Sequence, residues 1–128
     1  MRLPEHAAHA IRRLERAGFE AWAVGGCVRD SLLGRLPGDW DICTSARPAE
    51  MRELFHDQRL ILTGEKHGTV AGILHGKPYE ITTYRLDGSY RDHRHPDSVR
   101  FVDDLAADLA RRDFTINAMA YNAKEGLI

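Results

Sequence analysis

Two aspartates one residue apart, in Asp39-Trp40-Asp41-Ile42, are the part of this chain best suited to chemistry. Side chains alternate along a strand, so Asp39 and Asp41 share one side, their Cα atoms about 7 Å apart. Trp40 and Ile42 then point the other way, into a core. Like charges side by side repel unless something cationic lies between them. Magnesium suits that place, because it is a hard ion usually held by one or two carboxylates plus substrate phosphates. A third carboxylate would complete a two-metal arrangement for in-line phosphoryl displacement. Glu80, in the run Tyr79-Glu80-Ile81-Thr82-Thr83, is the candidate. Plainer readings stand beside these: Asp-x-Asp pairs also cap helices or face water, and an acid in such a strand also suits a solvent-facing edge.

Upstream, Ala23-Val24-Gly25-Gly26-Cys27-Val28-Arg29-Asp30 reads as strand, glycine turn and helix. Glycine lets a backbone approach a ligand closely, and a helix start offers free N–H groups at the positive end of its dipole. Arg29, one turn in, would add a charge-assisted contact to a phosphate. Asp30 equally suits a first-turn acid that complements the dipole. The spacing is neither that of a dinucleotide fingerprint nor that of a P-loop, and a tight turn packing helix on strand is the plain alternative. Taken with the metal carboxylates, the turn points to a nucleoside triphosphate.

The elements that must position these groups follow from periodicity. Pro4 and Glu5 open a helix with Ala7, Ala10, Ile11, Leu14 and Ala17 on one side, stopped at Gly18. Phe19 to Val24 reads as a strand, and a short helix from Cys27 to Leu33 closes at Gly34. Trp40 to Cys43 is a second strand and Pro48 starts a helix to Phe55. Strands follow over Leu60 to Thr63, Thr69 to Leu74 and Tyr79 to Tyr84, the last two joined as a hairpin through Gly76-Lys77-Pro78. The polar stretch from Arg85 to Asp97 has no apolar period and reads as a long loop. Leu105 to Leu109 and Phe114 to Ala120 read as helices. Gly126-Leu127-Ile128 begins what looks like another strand, as expected of a truncated chain. The expected fold is α+β, a mixed sheet flanked by helices.

With 128 residues, the chain has the length of one domain. Its 18 Lys and Arg against 19 Asp and Glu leave a net charge of −1, without the basic excess of a domain that grips RNA unaided. Cys27 and Cys43 have neither zinc nor disulfide-framework spacing, so both are expected reduced and structural. No apolar run approaches the roughly 18 residues of a membrane span, and the N-terminus lacks a signal-peptide core. A cytoplasmic protein is the default expectation.

Val24-Gly25-Gly26-Cys27-Val28-Arg29-Asp30-Ser31-Leu32-Leu33-Gly34-Arg35 followed by Asp39-Trp40-Asp41-Ile42 resembles motif A of the class II tRNA nucleotidyltransferase and bacterial poly(A) polymerase family. Asp108-Leu109-Ala110-Arg111-Arg112-Asp113-Phe114-Thr115-Ile116-Asn117-Ala118-Met119-Ala120 resembles its motif B. The resemblance runs from about Phe19 to Ile128. It implies a polymerase-β-type nucleotidyltransferase head over residues 1–128, with the family's neck, body and tail helical domains absent. It also implies that Asp39 and Asp41 hold catalytic Mg2+ and that Gly25, Gly26 and Arg29 cradle the triphosphate. Arg111, Arg112 and Asp113 resemble the ribose-recognising segment, and Asn117 joins the nucleotide-binding set. An ionised Asp113 would accept from a ribose hydroxyl; a basic helix end is the plain reading of Arg111-Arg112.

Thr63-Gly64-Glu65-Lys66-His67-Gly68-Thr69-Val70 and Tyr79-Glu80-Ile81-Thr82-Thr83-Tyr84-Arg85 look like CCA-adding enzymes of the bacterial type. The loop from Asp87 to Asp97 resembles the one such enzymes need to add the terminal A. The implied activity is addition of CMP and AMP, from CTP and ATP, to a tRNA 3′ end. A poly(A) polymerase head is the alternative, as is a nucleotide-binding module with little activity of its own. The family's base-selecting Glu-Asp-x-x-Arg motif does not occur in the sequence.

Overall fold

The computed structural model describes residues 3–34, 40–62, 64–74, 76–87, 99–110, 120–122 and 126–127. Helix α1 (Glu5–Arg16) follows Pro4, and its buried Ala7, Ala10, Ile11 and Leu14 recur at helical spacing. Gly18 leaves the helix with φ +95°, a conformation that glycine adopts without cost. Strand β1 (Ala21–Val24), helix α2 (Gly26–Leu32), strand β2 (Trp40–Thr44) and helix α3 (Pro48–Leu54) follow. Helix α3 starts on Pro48, and the Glu50 side chain accepts the Arg47 N–H at 2.9 Å, satisfying a donor at the helix start.

Strands β3 (Arg59–Ile61), β4 (Thr69–Leu74) and β5 (Lys77–Thr83) continue the sheet, with a 3-10 turn at Glu65–His67 before β4. A ribbon of β6 (Arg85–Asp87) and β7 (Val99–Phe101), helix α4 (Leu105–Ala110), β8 (Ala120–Asn122) and β9 (Gly126–Leu127) complete the order. Among the described residues the main sheet has seven strands, in the order β3-β4-β5-β2-β1-β8-β9. All its neighbours are antiparallel except β2 and β5, which run parallel. The expected mixed sheet flanked by helices is therefore what forms.

The sheet buries both faces, unequally. On one, Ala21, Ala23, Trp40, Ile42, Tyr79 and Ile81 join the buried residues of α1, Met51 of α3 and Phe55. On the other, Trp22, Val24, Cys43 and Tyr84 meet Leu105 and Ala120. The alternate residues Asp41 and Glu80 share this second face.

Three expectations need correction. Leu74 pairs with Lys77, so Lys77 and Pro78 do not belong to the β4–β5 turn. Lys77 and Pro78 lie inside β5. Arg85 to Asp87 is strand, paired with β7 at Arg85↔Phe101, so the stretch that opens at Arg85 is not loop from its first residue. Ala120 begins strand β8 opposite Val24, where a helix was expected to end. The remainder of that helix and of the loop lies outside the described residues.

Candidate active site

The central observation is a register. In the parallel pair β2–β5, Asp41 stands opposite Glu80, with Trp40↔Tyr79 and Ile42↔Ile81 on either side. Those four neighbours are at most 5% exposed. Asp41 and Glu80 are themselves exposed. Buried flanking side chains thus hold two carboxylates side by side on adjacent strands, which lie about 4.8 Å apart in any sheet. Neighbouring pairings extend the row across the sheet as Ala71, Glu80, Asp41, Val24 and Ala120.

The glycine turn begins where this row crosses β1. Gly25 follows Val24 with φ +75° and ψ −139°, a backbone that L side chains avoid. Its carbonyl accepts the N–H groups of Val28 and Arg29 at 3.1 Å each, which hangs the first turn of α2 from this one residue. The Cys27 thiol donates to the Val24 carbonyl at 3.1 Å and is buried, tying α2 to the end of β1. Burial pushes the thiol pKa up, so Cys27 is a neutral structural group. Arg29 donates from Nε to Asp30 Oδ1 at 3.3 Å, and both side chains reach solvent.

A cleft of about 250 Å³ opens over this face, lined among others by Asp41, Cys43, Glu80, Thr69, Thr82 and Arg85. Thr69 Oγ1 and Thr82 Oγ1 are 2.9 Å apart across the β4–β5 pair. Arg85 Nη1 donates to the His67 carbonyl at 2.7 Å, and the Arg85 N–H donates to Oδ1 of the fully buried Asp108 at 3.0 Å. These contacts fix the base of the β6–β7 ribbon against the cleft. Arg47 fixes its other strand, donating to the Val102 carbonyl at 2.9 Å and pairing with Asp103 at 3.1 Å.

Of the residues singled out from sequence, Asp41 and Glu80 therefore meet in one row, with Gly25 directly after its β1 member Val24 and Gly26 and Arg29 in the helix that follows. Asp39, Arg111, Arg112, Asp113 and Asn117 lie outside the described residues, α4 ending at Ala110 just before Arg111. Thr69, Thr82 and Arg85 were not singled out. Period-two counting from Glu80 would have found Thr82; Thr69 needs the hairpin register. Among the described residues no group of three His, Cys, Asp or Glu is placed to hold a metal, and no helix is long and apolar enough to cross a membrane.

Residues 21–128 match the family model described as the poly A polymerase head domain. The chain is 52% identical over 124 residues to the CCA-adding enzyme of Geobacillus kaustophilus (strain HTA426), covering 97% of this chain and 30% of that protein. It is 52% identical over 118 residues to the CCA-adding enzyme of Lactiplantibacillus plantarum, covering 92% of this chain and 28% of that protein. The crystal structure of the Bacillus stearothermophilus CCA-adding enzyme in complex with CTP superposes with TM-score 0.84 at 43% identity, over 100% of this chain and 30% of that one. A tRNA nucleotidyltransferase complexed with a primer tRNA and an incoming ATP analog gives 0.66 at 30% identity, over 93% and 33%. The chain thus spans about 30% of the length of the curated relatives it matches.

A mixed sheet backed by helices, with paired carboxylates beside a glycine turn, is the polymerase-β-type nucleotidyltransferase head. The chain belongs to the poly A polymerase head-domain family. Nucleotidyltransferases of this family use divalent metal ions.

Proposed function

We propose that this chain supplies the nucleotidyl-transfer head of a cytoplasmic enzyme that adds CMP and AMP, from CTP and ATP, to the 3′ end of tRNA. The observation that carries the reading is the parallel register of Asp41 and Glu80 beside the Gly25 turn. The geometry suits any nucleotidyl transfer, and the similarity to relatives named CCA-adding enzymes supports CCA addition over a poly(A) tail.

The donor set fits magnesium. Asp41 and Glu80 offer hard carboxylate oxygens from adjacent strands, and like charges directly opposite are destabilising without a cation. Asp39, two residues before Asp41, is the third donor that the resemblance supplies. Magnesium, when bound there, would lower the pKa of the attacking hydroxyl and neutralise charge on the phosphates. The chain's own part is positioning. Gly25 and Gly26 let the backbone approach the triphosphate, Arg29 contacts it, and Asp113 and Asn117 with Arg111 and Arg112 hold the sugar side. The acceptor 3′-oxygen then attacks the α-phosphorus and loses its proton. The bond to the β-phosphate oxygen breaks and pyrophosphate leaves. Residues 1–128 form this head as one unit.

The test is transfer to a tRNA lacking its last three nucleotides, using the protein as encoded by its gene, with CTP, ATP and magnesium. Addition stopping at three nucleotides supports the reading, whereas a long tail made from ATP alone on generic RNA assigns a poly(A) polymerase. Asp41→Asn and Glu80→Gln should each cut the rate at least a hundredfold, on the scale of losing a transition-state electrostatic contact, with an unchanged far-ultraviolet spectrum. Transfer at the wild-type rate in either variant refutes its metal role.

A further inference from the structure

The sheet order places the glycine turn and a second set of polar groups on opposite sides of Asp41. Along β4-β5-β2-β1, Gly25 follows the end of β1, one strand away from Asp41. Thr82 and Thr69 lie on β5 and β4, on the other side, and Arg85 lies just past the end of β5. In an in-line displacement the attacking and leaving oxygens stand on opposite sides of the phosphorus. With the triphosphate at the Gly25 turn, the acceptor must arrive from the β4–β5 side.

That side is chemically suited to a phosphodiester. Arg85 is the only basic side chain among the described residues lining the cleft. Its bond to the His67 carbonyl fixes where the guanidinium stands. Each threonine hydroxyl has one proton to donate. The two hydroxyls bond to each other, which uses one proton, and no acceptor for the other occurs among the described residues. Both threonines are half-buried at the cleft wall.

We infer that Thr69, Thr82 and Arg85 form a subsite for the backbone phosphate preceding the 3′-terminal nucleotide of the RNA acceptor, so that Glu80 faces the terminal ribose. This rests on the proposed nucleotidyl transfer and adds the place of the acceptor strand.

The test uses the protein as encoded by its gene and a short RNA acceptor with a phosphate or an uncharged methylphosphonate at the last linkage. RNA affinity comes from fluorescence anisotropy, and magnesium–CTP affinity is measured separately by calorimetry. The methylphosphonate should weaken binding to the wild type about tenfold, and much less to Arg85→Gln. Arg85→Gln should flatten the slope of log affinity against log salt by about 0.7, one phosphate contact on a single strand. Thr82→Val, nearly the same shape, should raise the KM for RNA roughly fivefold with CTP affinity unchanged, and Thr82→Ser should restore it. An equal methylphosphonate penalty in wild type and Arg85→Gln overturns the inference, as does parallel loss of CTP and RNA affinity in Thr82→Val. Wild-type protein that binds RNA with this phosphate dependence but never CTP would sink the nucleotidyl-transfer reading instead, leaving the strand contact standing.

Discussion

Replacing Gly25 by alanine tests whether the turn at the head of α2 is held by backbone conformation. Gly25 sits at φ +75° and ψ −139°. An L side chain held in such a sparsely populated region costs on the order of 1–3 kcal/mol. Relief by rotation to negative φ is blocked from two sides. The Gly25 carbonyl holds the N–H groups of Val28 and Arg29, and the Cys27 thiol, two residues on, is anchored to Val24. Rotation would exchange strain for lost hydrogen bonds of similar worth. For a 128-residue chain the unfolding entropy is about 0.27 kcal/mol per kelvin, so the loss is a Tm lower by roughly 4–11 °C. Calorimetric melting measures it, and titration with magnesium–CTP should show at least a tenfold weaker complex. D-alanine at the same position, introduced by ligation, favours positive φ and should recover most of the Tm. Stability within about 0.5 kcal/mol of wild type for Gly25→Ala would refute the strain argument. Full Tm recovery by D-alanine without recovery of binding would place the effect on crowding of the ligand by the new methyl group.

Gly68 should be as intolerant for a different reason: φ is +91°, and an added Cβ would stand 2.7 Å from Phe101 Cε1. Gly68→Ala should cost about 2–4 kcal/mol in urea denaturation, and a double-mutant cycle with Phe101→Leu should return about 1 kcal/mol or more of it. Acid should weaken the fold through His6, 7% exposed and packed near Tyr79. Burial first and the Lys77 charge second hold its pKa below 6.5. The unfolded chain therefore takes up more protons as pH falls below about 6.5, and stability drops there. Denaturation midpoints at pH 7.5 and 5.5 should differ less in His6→Gln than in wild type.

The local chemistry was legible from residue types, while the long-range pairing was not. Alternation alone put Trp40 and Ile42 in the core with Asp41 outside, and that is how β2 is built. The helix starts at Glu5 and Pro48 followed from proline position and apolar spacing. Pro78 misled because proline normally marks a turn. It is tolerated opposite Ile73 because it precedes the stretch paired with β2, whose ladder does not need its missing N–H. Arg85-Leu86-Asp87 carries one apolar residue and no period to count, and its strand exists only because β7 returns beside it. Ala120 ends an apolar run that suits a helix, yet the open edge of β1 takes it as a strand. Nothing in residue types states that Asp41 and Glu80, far apart in sequence, share a register.

What fixes that register lies on the far face of the sheet. A slip of one residue between β2 and β5 would oppose Asp41 to Tyr79 or Ile81 and mismatch the two faces all along the pair. Tyr79 resists it by filling a place shaped for it: it is 1% exposed, its hydroxyl donates to Gln58 Oε1, and its ring lies over Gly72. A Cβ on Gly72 would come within 2.6 Å of Tyr79 Cζ, so only glycine at that point of β4 lets the ring lie flat. Ile81 stands opposite Val70 on the same strand pair, and both are buried. The two carboxylates meet because β5 is clamped by its apolar residues, and β5 runs parallel to β2 because the return through β3 and β4 enters it from the hairpin side. The acidic pair is thus positioned by side chains that never touch the cleft.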